Sequence, residues 1–109
     1  MRFRADITTC EQASDTILSV CQCGPDGIEY EVIIQRAPPE FEQFDPCPGP
    51  KLSCDQLGLH LVPGPEGITF SGGAMTIVVS RPENIEVDIS RLSLDEQNEL
   101  KAVAKALFQ

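Results

Sequence analysis

The residues with the most chemical capacity in this 109-residue chain are its five cysteines. Two of them, Cys21 and Cys23, stand two apart in CQCGPDGIEYEVII. On a strand, that spacing turns both thiols to one face. A direct bridge between them is poor, because Cα atoms two apart in an extended strand lie about 6.6–6.8 Å from each other, the upper limit for a disulfide. A zinc centre built from Cys21, Cys23, Cys47 and Cys54 would pin the proline-rich segment to the strand pair. Its C-x-C and C-x6-C spacings differ from the C-x2-C knuckle that sets two thiolates at tetrahedral distance. A reactive thiol, as in a redox enzyme, needs a base, and the single histidine is His60.

His60 lies between Leu59 and Leu61, facing away from the leucine row, and reads as an exposed strand histidine. The acidic pairs Glu29/Glu31, Glu40/Glu42 and Glu86/Asp88 have the residue types of a hydrolytic or calcium site. No glycine-bearing metal loop accompanies them, and alternating acids are ordinary on solvated strand faces. The chain also lacks a phosphate-cradling loop, a nucleophile elbow and a dinucleotide fingerprint. No catalytic residue and no cofactor are expected, with zinc as the alternative.

Charge narrows the partners. Eight Lys and Arg against 17 Asp and Glu give a formal charge of -9. Such a surface repels phosphate backbones and anionic lipids, so neither direct nucleic-acid nor membrane binding is expected. It suits basic protein surfaces, and it would also suit an acidic nucleic-acid mimic that occupies a DNA-binding protein. Arg2 and Arg4 are followed by no apolar run, and no stretch approaches membrane-span length. The expected compartment is the cytoplasm, where thiols stay reduced, and an odd cysteine count fits a disulfide framework poorly.

The elements that must position these residues are mostly strands. The length suits a single domain, 1–109. Residues 2–9 alternate Phe3, Ala5 and Ile7 with polar neighbours, a half-buried strand followed by a polar break at 11–15. Thr16–Cys23 and Ile28–Gln35 make a hairpin around GPDG, with Gly27 in the left-handed conformation that closes a bulged turn. The bulged register puts Leu18 and Val20 opposite Ile34 and Val32 and leaves the thiols half-exposed beside Glu29 and Glu31. A register one residue away buries them instead. Further strands are expected at Leu57–Val62, at Ile68–Phe70 after a GPEG turn, from Met75 to Arg81–Pro82, and at Ile85–Ile89. GPDGIEY and GPEGITF are alike at an offset of 40 residues, a weak sign of a duplicated hairpin.

Between them, residues 37–55 carry five prolines and read as a long loop. Its Phe41 and Phe44 either cover an open edge of the core, the commoner fate of loop aromatics, or recognise a partner. The chain then closes on a helix. Ser93 and Glu96 fit a capping box, and Leu100, Val103, Ala104, Leu107 and Phe108 form one apolar stripe. The expected fold is therefore β-rich α+β: six or seven short antiparallel strands in a bent sheet, barrel or sandwich, with the helix packed on the sheet. The expected function is a non-catalytic accessory or regulatory one exercised through protein contacts, with Phe41 and Phe44 as partner-binding residues and a homo-oligomer as one way to hide an edge strand.

Overall fold

The computed structural model describes residues 1–79 and 83–109. Nine strands are found among them: β1 (Arg2–Arg4), β2 (Ile7–Gln12), β3 (Thr16–Gly24), β4 (Gly27–Arg36), β5 (Lys51–Cys54), β6 (Leu59–Pro63), β7 (Pro65–Ser71), β8 (Ala74–Val79) and β9 (Ile85–Asp88). A four-residue helix, α1 (Pro39–Glu42), precedes β5, and the long helix α2 (Leu94–Leu107) follows β9. The strands form two open sheets, one in the order β1-β9-β8-β7 and one in the order β2-β3-β4-β5-β6. The molecule is thus β-rich α+β, not closed into a barrel, with α2 packed over β2 and β3. The expected run of β8 to Arg81–Pro82 lies outside the described residues.

The expected single strand over residues 2–9 is divided between the sheets. Ala5 donates its N–H to the Asp88 carbonyl at 2.8 Å, while Asp6 donates to the Cys21 carbonyl at 2.8 Å. The step also breaks the expected apolar row: Phe3 and Ala5 are buried, whereas Ile7 is exposed beside Cys21. Arg4 and Asp6 hold the crossing through a 2.9 Å ion pair, and Asp6 also accepts the Cys23 N–H at 2.9 Å. Both contacts draw the Asp6 carboxyl below its usual range. Before the crossing, β1 runs parallel to β9, with Phe3 beside Val87.

GPEG makes a second crossing rather than a hairpin. β6 belongs to the five-stranded sheet and β7 to the other, with Gly64 between them at φ 93°. That conformation admits glycine without a steric penalty. GPDG does turn a hairpin, so the two similar heptapeptides do different work. The observed pairing is Leu18 with Ile34 and Val20 with Val32, as in the bulged register. The extra residue, however, is Glu29 rather than Gly27, since Cys23 faces Ile28 and Gln22 faces Tyr30. At this bulge the Gln56 side chain continues the ladder. Its Nε2 donates to the Glu29 carbonyl at 3.0 Å, and its Oε1 accepts the Glu31 N–H at 3.2 Å.

One core joins the layers. Leu18, Val20, Val32, Ile34 and Leu52 of one sheet meet Phe3, Met75, Ile77, Ile85 and Val87 of the other, together with Leu100, Val103, Ala104 and Leu107 of α2. The helix starts as its sequence dictates. Ser93 Oγ accepts the Glu96 N–H at 3.1 Å, and Glu96 Oε1 accepts the Ser93 N–H at 3.0 Å.

Leu107 is fully buried, so Leu107→Ala is expected to cost about 2–5 kcal/mol in urea unfolding. Ser93→Ala, which removes only the cap, should cost about 1 kcal/mol. Parent-like unfolding of Leu107→Ala would show that α2 is not packed on the sheet.

Candidate functional site

Residues 37–50 form the most distinctive surface. Pro38 and Pro39 fix extended and first-turn backbone, and Pro39 enters α1 where its missing N–H costs nothing. This explains a helical turn inside a segment whose prolines argued for loop. Lys51–Cys54 is likewise a strand, so only the middle of the expected 37–55 loop lacks regular structure.

The turn is held by charge-assisted contacts at both ends. Arg36, on β4, donates Nε to both Glu42 carboxylate oxygens at 3.0 and 3.2 Å. Its Nη1 also donates to the carbonyls of Leu107 and Gln109 at 2.9 and 2.8 Å. One guanidinium therefore ties β4, α1 and the end of α2 together. Glu42 further accepts the Gly49 N–H at 2.6 Å, which closes the segment on itself. At the far end, Asp45 accepts the Cys47 N–H at 2.8 Å and the Lys51 ammonium at 3.0 Å. Those two donors, the Cys47 amide foremost, hold the Asp45 carboxyl below its ordinary value of 3.8.

The clamped segment presents Phe41 and Phe44 to solvent, 62% and 79% exposed. Phe44 donates its N–H to the Phe41 carbonyl at 3.2 Å. Phe44 lies just past the C-cap Gln43 of α1. The expectation that they cover an edge of the core fails. The core is closed without them by α2 and the second sheet, so neither ring is needed there. Glu40, the chain neighbour of Phe41, is exposed as well.

The structure separates the four cysteines considered as a zinc set. Cys21 and Cys23 lie on the outer face of the five-stranded sheet, whereas Cys54 joins the core on its inner face at 1% exposure. Cys47 is exposed in the clamped turn. Among the described residues, no three His, Cys, Asp or Glu side chains gather as a metal cage. Cys21 also departs from expectation, because it is only 6% exposed although the bulged register holds. It sits between Ile7 and Glu31 on the two flanking strands, and neighbours on both sides close over a group as small as a thiol. Burial pushes the Cys21 and Cys54 thiols up and takes Cys10, under α2, to about 11.

His60 lies with Leu61, Ser53 and Asp55 around a shallow concavity of about 270 Å³ on the outer sheet face. Leu61 has φ 49°, within a bulge where two residues of β6 oppose Ser53, and its N–H is accepted by Ser53 Oγ at 3.0 Å. Neither the bulge nor the left-handed leucine carries a signature in LHLVP. No protein-family model matches the chain, and neither a curated protein nor a solved structure does.

Two expectations follow. With a thiol reagent at pH 8, Cys47 should react first and Cys54 last. Cys54→Ser should destabilise the fold by more than the roughly 0.5 kcal/mol expected at exposed Cys47. Equal losses at the two positions would contradict the burial of Cys54. The Asp45 contacts should titrate only in acid. Because the folded value lies below 3.8, their stabilisation is complete well above that pH and is lost as pH falls through the folded value. The amide shift of Cys47 should accordingly stay constant from neutral pH down to about pH 5. A transition near pH 7 would exclude the carboxylate as the clamp.

Proposed function

We propose that the protein is a non-catalytic accessory or regulatory module that works through protein contacts, with the turn bearing Phe41 and Phe44 as its recognition element. The observation that carries this reading is the pairing of two exposed rings with a rigid support. An exposed aromatic on a mobile loop loses side-chain and backbone entropy on binding, whereas here Arg36–Glu42 and Lys51–Asp45 tie down the backbone that carries the rings and so reduce the backbone part. Aromatic anchors supply large contact area with few rotatable bonds and dominate binding energy at interfaces. The partner this surface fits has an apolar pocket with a basic rim, complementary to Glu40 and to a chain of net charge -9.

A photo-crosslinking residue at Phe44, introduced in the native cell, would capture the partner. Binding of the purified pair is then measured by calorimetry. Phe41→Ser with Phe44→Ser should weaken binding at least tenfold, about 1.4 kcal/mol, while the melting temperature stays that of the parent. Unchanged affinity would place recognition elsewhere. A large fall in melting temperature would make the rings structural.

A further inference from the structure

The free edge of β7 forms a second surface, distinct from the phenylalanine turn. Among the described residues β7 hydrogen-bonds on one side only, to β8, and it is the last strand of its sheet. Such an edge offers a row of backbone donors and acceptors to an incoming chain. Natural edges are usually blunted by bulges, inward charges or cover. β7 has such a bulge at its start, between Pro65 and Gly67, but pairs regularly from Gly67 to Ser71, and there a groove of about 410 Å³ runs between strand and helix. Its walls are Ile68 and Phe70 of β7 and Lys101, Ala104, Lys105 and Phe108 of α2 and its cap.

The groove is apolar at its base and cationic on its helical rim. Ile68, Phe70 and Phe108 are half-buried and rest on the core, leaving part of each side chain uncovered. Lys101 Nζ lies 5.8 Å from the Phe70 ring centroid, so its charge is held over the groove. Neither lysine forms an ion pair among the described residues, whereas Arg2, Arg4, Arg36 and Lys51 each have a carboxylate partner. Glu66 also lines the groove and offsets part of this charge. The net charge of -9 opposes an anion at long range, but at physiological salt the screening length is about 8 Å. The local lysines therefore set the potential an entering chain meets.

We propose that β7 and α2 form a strand-addition groove for an extended acidic segment of another protein, which hydrogen-bonds along the edge of β7 and sets carboxylates against Lys101 and Lys105. The regular stretch of β7, Gly67–Ser71, gives room for a strand of ordinary length. Alternate side chains of the added strand face α2, so the segment that fits carries apolar and acidic residues in turn on that face. A second copy of this chain fits less well, because each copy brings the same negative charge and the same lysines.

The probe is a fluorescent eight-residue peptide in which threonines alternate with positions that are in turn glutamate and valine. Its binding to the full chain is followed by anisotropy and by amide NMR. The expected result is saturable binding that weakens as salt rises, with shift changes concentrated at residues 67–71. Substituting lysine for the peptide glutamates, or Lys101→Glu with Lys105→Glu in the protein, should weaken binding at least tenfold. The milder Lys101→Gln with Lys105→Gln should weaken it in the same direction if the charge reversal perturbs the helix. Two N-methylated peptides, modified at alternate residues, separate strand pairing from loose adsorption, since one of the two must fail to pair. Phe41→Ser with Phe44→Ser should leave peptide binding unchanged, so this groove and the phenylalanine turn stand or fall separately. The proposal is overturned if no binding is seen at millimolar peptide, if both N-methylated peptides bind like the parent, or if the lysine peptide binds equally well. It is also overturned if sedimentation shows dimers whose β7 amides are already protected, which would give the edge to a second copy.

Discussion

The two sheets have apolar inner faces, and neither can be covered from its own strands. Each is closed by the other and by α2, so a single packed layer must serve both. This requirement fixes the two places where the chain changes sheet, Ala5–Asp6 and Gly64. At the first, a fully buried alanine brings the strands together closely, the Asp6 carboxylate, held by Arg4, accepts the Cys23 N–H, and Gln22 Oε1 accepts the Arg4 N–H. At the second, a left-handed glycine reverses the chain without occupying core volume. The parallel pairing of β1 with β9 covers one edge of the second sheet and leaves β7 as the other.

A core closed in this way changes what the remaining residues are available to do. The proline-rich segment is released from covering duty, and its anchors are polar: one guanidinium, one ammonium and the two carboxylates they meet. The rings it carries are consequently presented rather than packed. Edge exposure is distributed unevenly by the same arrangement. β6 is irregular at Leu61, which spoils its edge as a template, whereas β7, bulged only at its start between Pro65 and Gly67, is regular from Gly67 to Ser71 beside a helix that carries two unpaired lysines. The acidic character of the chain and this local basic rim are therefore compatible features of one surface.

The sulfur chemistry is governed by the layers as well. Successive positions of a strand face opposite sides of its sheet, and the sheet itself stands between the Cys21–Cys23 pair and Cys54. Burial disfavours the thiolate at Cys10, Cys21 and Cys54, which opposes the activation a nucleophilic cysteine needs. The exposed thiol, Cys47, lies in the clamped turn beside the Lys51 ammonium that its own carbonyl accepts.

Local order was legible wherever one residue's environment repeats at a fixed interval. The stripe of α2, its Ser93–Glu96 cap and the alternation of Ile85, Val87 and Ile89 could all be read from spacing, whereas the hairpin register stayed open between two pairings one residue apart. Period and capping are properties of neighbouring residues and need no knowledge of the rest of the chain. Tertiary structure alone decided which sheet each strand joined, that GPDG turns while GPEG crosses, and that Cys54 points inward. It also decided that Phe41 and Phe44 stay outside. Alternation says that a strand has an apolar face, but not which distant surface will cover it. Whether an aromatic ring is needed for cover depends on how completely the other layers have already closed, and that is a property of the assembled core.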